Sequence, residues 1–260
     1  MFDFTSATPE KNCRQSYYLL FTVGQAQNGS DRGQWLMEWN FLAVLNDFDL
    51  LMLGLLNTLK VTGLALLFGI PLGLVLALSR LSTFRVISAI AGFIVEFFRT
   101  TPPLVQLFWF FFALPILVDV RMTPLIAAVV TFSIQSSAFF AEIFRGGILS
   151  VDKGQWEGAK AVGMTYTQSL RRIILPQATK RMIPAFMERS IELLKTTTLV
   201  STVAYADLMF QANELAQKTF RPLEVYTIVA VIYFVLIFVF SQASIWVEHR
   251  LAKSGEGTVR

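Results

Sequence analysis

The sequence holds a single cysteine, Cys13, and a single histidine, His249. One thiol cannot build a disulfide framework, and one thiol with one imidazole is too little for nearly every protein metal site. Charge is sparse as well: 15% of residues are charged, whereas 54% are hydrophobic. A water-soluble domain cannot hide so much apolar surface, so a lipid bilayer is the expected solvent. Also missing are the glycine-rich GxxxxGK and GxGxxG phosphate loops and the HExxH zinc pair. The chain therefore carries no recognisable nucleotide or zinc engine. Energy for any work it does must come from another subunit or from an ion gradient.

What the chain has instead is a series of apolar runs of membrane-crossing length. Val61 to Leu78 is apolar almost throughout and about 27 Å long as a helix, close to the hydrocarbon thickness. With its upstream extension the first span covers 50–79, and Lys60 snorkels to an interface. Gly69 and Gly73 lie four apart on it, a spacing that admits a close neighbouring helix. The second span, 84–118, is broken at 99–103 by Arg99 and the Pro102-Pro103 pair. The third, 124–144, carries Ser133, Gln135, Ser136 and Ser137 at its middle, and Glu142 and Arg145 three apart at its end. The fourth, 183–204, carries Glu188, Arg189, Glu192 and Lys195, and the fifth, 222–247, is rich in aromatic and β-branched residues. The expected fold is all-α and polytopic, with five transmembrane helices.

Lys and Arg set the orientation, because basic residues collect on the cytoplasmic side. With the N-terminus outside and the C-terminus inside, Arg80, Arg85, Arg99, the seven basic residues of 145–181, Arg250, Lys253 and Arg260 face the cytoplasm. Lys11, Arg14, Arg32, Arg121, Lys218 and Arg221 remain outside. Residues 1–36 differ from the rest and read as a dispensable, disordered extension, with Met37 a natural start. The rest divides into a membrane domain over 37–250 and a cytoplasmic tail over 251–260.

The polar loop 145–182, between the third and fourth spans, is the most informative segment. Asp152 is a candidate helix cap, with Trp156, Ala159 and Val162 at helical spacing and Glu157 and Lys160 on another face. Gly163 ends that helix. Thr165 or Thr167 starts a second, with Leu170, Ile173 and Ile174 as its apolar side, and Pro176 constrains the next helix. Two short amphipathic helices at an angle make a cytoplasmic knob suited to a partner's groove.

Glu157, Ala159, Gly163, Ile173, Leu175 and Pro176 fall in the register of a known pattern. The stretch resembles the EAA loop of permease subunits of bacterial ATP-binding-cassette importers, departing at one position, where Gly158 replaces Ala. The likeness covers nearly all of 40–250, through "VEFFRTTPPLVQLFWFFFALP", "AEIFRGGILSVDKGQWEGAKAVGM", "ILPQATKRMIPAF" and "IELLKTTTLVSTVAYADL". It is similar in particular to the polar amino acid uptake branch. The resemblance implies the type I importer permease fold in a bacterial inner membrane, working as a homodimer or with a homologous permease. It implies an ATPase dimer below, using ATP and Mg, and an extracytoplasmic solute-binding protein above. The chain would be no enzyme and would hold no cofactor. Glu157 would contact the ATPase, Gly163 would set the helix angle, and Trp156, Ala159 and Val162 would be the apolar anchors. An ion-gradient-driven secondary amino acid transporter is the alternative, although such folds usually carry internal repeats and none is visible here.

Charges inside spans point to function, since unpaired burial in lipid is expensive. Glu188 and Glu192, with Lys195, share one face of the fourth helix, and Glu188 stands where the family commonly has Asn. Thr196 and Thr197, one turn on, can meet a carboxylate. These residues, with Gln135 and Ser136, are the expected substrate path. A local ion network within the helix, and serines bonding back to their own backbone, are the structural readings of the same residues. An amino acid is the expected cargo, its identity open.

Overall fold

The computed structural model describes residues 41–256. The expected extension over 1–36 lies outside them. The described chain is helical, without a strand. A short helix α1 (Phe41–Leu45) leads into α2 (Phe48–Arg80), which is followed by α3 (Arg85–Thr100), α4 (Pro103–Val118) and α5 (Pro124–Leu149). Two small helices come next, α6 (Lys153–Ala161) and α7 (Tyr166–Ser169), and then α8 (Leu175–Thr196), α9 (Leu208–Thr219) and α10 (Pro222–Glu256).

Helix α2 is apolar all round, as a helix in lipid must be, so hydropathy does not tell its two sides apart. Size does. Its buried stripe is Gly54, Thr58, Thr62, Ala65, Gly69, Gly73 and Ala77, at intervals of three and four, while Leu67, Phe68, Val75 and Leu78 are exposed. From Ala65 on the stripe faces α5, while Gly54 and Thr58 meet Asp207 and Leu208, and α2 with α5 forms the most extensive helix pair among the described residues. A methyl group added at Gly73 would sit 2.7 Å from Phe140 Cβ and 2.8 Å from the Ser137 carbonyl oxygen. The glycine spacing thus marks a close helix crossing.

Between α3 and α4 the chain turns through 104°. Thr101 precedes a proline and is driven to extended backbone (ψ 133°), and Pro102 is followed by another proline. The buried Gln106 amide stitches the bend, donating to the carbonyl oxygens of Phe98 at 3.0 Å and Thr101 at 2.9 Å. Prolines act differently further on. A π-helical turn at Trp109–Ala113 precedes Pro115, and another at Leu170–Ile174 precedes Pro176. Proline has no N–H to give the preceding turn and its ring crowds that turn's carbonyl, so the helix widens by one residue rather than breaking.

Among the described residues three helices, Phe48–Arg80, Pro124–Leu149 and Pro222–Val247, are long and apolar enough to cross a membrane, and the bent α3–α4 pair makes up to four. The expected fourth span, 183–204, is not among them. Helix α8 starts at Leu175, carries its charges in mid-course and tightens into a 3₁₀ turn at Thr197–Val203. Helix α5 runs on to Leu149, past Arg145, so the expected loop 145–182 shortens to 150–174. Two contacts permit this. Glu142 pairs with Arg145 at 2.8 Å and also with Arg80, and Gly147 leaves room for Met182 to cross. Helix α9 occupies the stretch between the expected fourth and fifth spans. Its signal is Asp207, whose carboxylate accepts from the Phe210 N–H at 2.8 Å, with Leu208, Ala212, Leu215 and Ala216 on one buried face.

Candidate functional site

In the loop 150–174, each helix end is closed by a named group. Asp152 caps α6, accepting from the Gly154 N–H at 2.6 Å. Thr165 and Gln168 form a reciprocal capping box at α7. Gly163 has φ +77°, and nothing lies within 4 Å of where its side chain would be, so the backbone conformation alone demands glycine. Its N–H donates to the Lys160 carbonyl at 3.0 Å, and the Met164 N–H reaches back to Ala159 at 3.1 Å. These two bonds make a Schellman ending, and they fix the angle at which the second helix leaves the first.

The three apolar loop residues have separate surroundings. Ala159 is 2% exposed and packs inward, so it supports the loop and offers no surface to a partner. Trp156 is half-buried, stacked on Tyr166 at 5.4 Å between centroids. Val162 is 73% exposed. Glu157 is exposed and, with Trp156, Lys160, Met164, Tyr166 and Ser169, lines a hollow of about 360 Å³. The loop therefore presents a depression edged by one acidic and one basic side chain, Glu157 and Lys160, and an exposed valine.

The residues expected along the substrate path divide in the same way. Glu188, Glu192 and Lys195 are exposed on one face of α8, with Thr196 half-buried beside them. Thr197 is turned away from that face. It is buried, donates to the Leu194 carbonyl at 2.8 Å and lies 3.3 Å from Thr62 Oγ1 of α2. Ser136 is buried against Gly69 in the α2–α5 crossing. Gln135 is buried too, and its Oε1 meets no donor among the described residues. Ser137 bonds back to Ile134, as a serine in a helix commonly does.

One arrangement is not visible in the sequence. Arg189, 5% exposed, lies over the Phe139 ring of α5 with its guanidinium carbon 3.7 Å from the centroid, and Arg99 of α3 approaches the same ring at 5.5 Å. Arg189 pairs with Glu192 at 2.7 Å. Sequence spacing shows the Arg189–Glu192 pair, but it cannot bring α3 and α5 to the same point. Asp207 is a second buried charge that spacing does not reveal. Burial pushes its carboxyl up to about 6 against the pull of the Phe210 and Met209 N–H groups. Thr58 and Asn57 of α2 hold the turn beside it, accepting from the Leu208 N–H at 3.1 Å and donating to the Ala206 carbonyl at 2.8 Å respectively.

Residues 69–253 match the model of a family described as the binding-protein-dependent transport system inner membrane component. The arginine transport system permease protein ArtQ of Bacillus subtilis (strain 168) is 36% identical over 215 residues, covering 83% of this chain and 98% of its own length. The probable glutamine ABC transporter permease protein GlnM of the same organism is 37% identical over 215 residues, with 83% and 99% covered. A crystal structure of an amino acid ABC transporter with histidines superposes with a TM-score of 0.79 at 38% identity, over 82% of this chain and all of that one. An inward-facing MetNI methionine ABC transporter shares the fold, with a TM-score of 0.64 at 22% identity.

Proposed function

The chain belongs to the family of binding-protein-dependent transport system inner membrane components, and from that membership we propose that it is the transmembrane permease subunit of an ATP-driven importer for polar amino acids. The observation that carries the coupling part of this reading is the loop 150–174, a self-capped knob between spans whose exposed Glu157 lines a hollow and whose Val162 is also exposed. A rigid knob can transmit movement, where a slack loop would absorb it. ATPase subunits closing on ATP and Mg would carry the knob with them, and the spans would rock between two openings. Glu157 would supply a charge-assisted contact to the ATPase and Gly163 the fixed angle.

Helix α8 with its 3₁₀ turn is the fourth of five crossings in this reading, tolerated in the membrane because Glu188, Glu192 and Lys195 face a polar path shared with a second permease copy or a homologous permease. The N-terminus lies outside and the loop and C-terminus in the cytoplasm, as the basic residues indicate. A solute-binding protein delivers ligand from outside. The chain binds no nucleotide of its own, hydrolysis belonging to the partner. Reconstitution in proteoliposomes with the ATPase and binding protein tests this. ATP inside should drive accumulation of a polar amino acid. Uptake driven by a proton or sodium gradient alone, indifferent to the ATPase, would instead identify an ion-coupled secondary transporter.

A further inference from the structure

We propose that the Nε–Nη2 edge of the Arg189 guanidinium is the docking point for the substrate's α-carboxylate, an assignment that rests on the importer reading above. Part of the guanidinium is already held. Its Nη1 is taken by Glu192 Oε2 at 2.7 Å, and its central carbon rests over the Phe139 ring at 3.7 Å. Held by an ion pair on one side and packed on the ring, it has little freedom to turn. The opposite edge, Nε and Nη2, is closed to solvent and meets no acceptor among the described residues. Two parallel N–H groups on that edge match the two oxygens of a carboxylate, a geometry that a lysine ammonium does not offer.

Unmade donors on a buried guanidinium are costly, so their presence calls for a reason. An acceptor that arrives only in another state of a moving protein is such a reason, because the cost then falls on the empty state and is relieved by the cargo. The surroundings suit an amino acid zwitterion. Arg99 beside the same ring adds positive charge for the carboxylate. Gln135, one turn before Phe139 on α5, has a buried Oε1 without a donor among the described residues, and Glu188 stands exposed one residue before Arg189. Both are acceptors for an ammonium group. The Arg189 edge is covered in the present arrangement, so docking belongs to a state in which α5 and α8 have moved apart.

The test uses the purified permease–ATPase complex without the binding protein, so that recognition measured is that of the membrane subunits. Binding of the twenty L-amino acids is measured by calorimetry, and the tightest is compared with its α-carboxamide. The expected result is at least tenfold weaker binding of the carboxamide. Arg189→Lys should weaken the acid by a similar factor and leave the carboxamide unchanged, erasing the discrimination. Equal binding of acid and carboxamide by wild type overturns the proposal without any variant, and so does discrimination that survives in Arg189→Lys. If no amino acid binds the complex, the docking point is wrong, while ATP-driven uptake in proteoliposomes shows independently whether the importer reading stands.

Discussion

The loop 150–174 and the middle of α8 carry similar densities of charge, yet the fold treats them in opposite ways. In the loop, charge stays on the surface and structure is secured by closed helix ends: the Asp152 cap, a capping box at Thr165 and a Schellman turn at Gly163. In α8 the backbone is ordinary helix and the charge is what is unusual, with Arg189 buried, paired on one edge and unpartnered on the other among the described residues. A segment that must keep one shape while being pushed closes its own bonds. A segment that must receive something leaves bonds open. The contrast separates a coupling element from a recognition element within one chain.

The strongest way to break the contrast is at Gly163. Gly163→Pro fixes φ near −65° where +77° is needed and removes the N–H that reaches Lys160, a penalty of about 3 kcal/mol or more. Loss of the copurifying ATPase and of uptake is expected, with substrate binding by the remaining permease unchanged. Altered acid-over-amide selectivity in this variant would show that the two regions are not separable.

Asp207 sharpens the comparison, being buried like Arg189 but capped like the loop. Its folded pKa of about 6 lies above the ordinary 3.8, so its contribution to stability is full below 3.8 and is lost as pH rises through 6. The shift corresponds to about 3 kcal/mol at most. Melting of the purified complex should therefore rise between pH 7 and pH 5, and Asp207→Asn, which keeps a cap, should flatten that rise. Identical pH profiles for wild type and variant would show that Asp207 does not set the dependence.

A smaller effect is expected at Trp156, whose stacking on Tyr166 contributes about 0.5–1.5 kcal/mol beyond its buried area. Trp156→Ala should weaken ATPase retention without abolishing it, read as faster dissociation during washing. Glu188→Gln should have the least effect on assembly and act on cargo alone, changing relative uptake across an amino acid panel. An unchanged profile would take Glu188 out of the path.

Much of this is readable in the sequence because it is local. Gly163, Asp152 and Thr165 act on residues within a few positions, and the glycines of α2 announce a close crossing by their spacing. The features that escape are set by distant partners. Thr197 adjoins the polar face in sequence, but it stands half a turn round the helix from Glu188 and is buried against Thr62 of α2. Ala159 looks like an anchor by period, yet it is buried and has no surface left to offer a partner. Charged residues near a span end suggest a loop, which puts the end of α5 too early and the start of α8 too late. Glu142 pairs with both Arg80 and Arg145, and the helix continues. Arg189 is visible as a charge, but only the meeting of α3, α5 and α8 shows which of its edges is unused.

The most direct test is to copurify the ATPase from membranes with wild type, Glu157→Lys, Gly163→Pro and Arg189→Lys side by side. Wild type and Arg189→Lys should retain the ATPase, while both loop variants should lose it and remain folded in the membrane. Retention by the loop variants, or loss with Arg189→Lys alone, would contradict the division of labour between loop and helix.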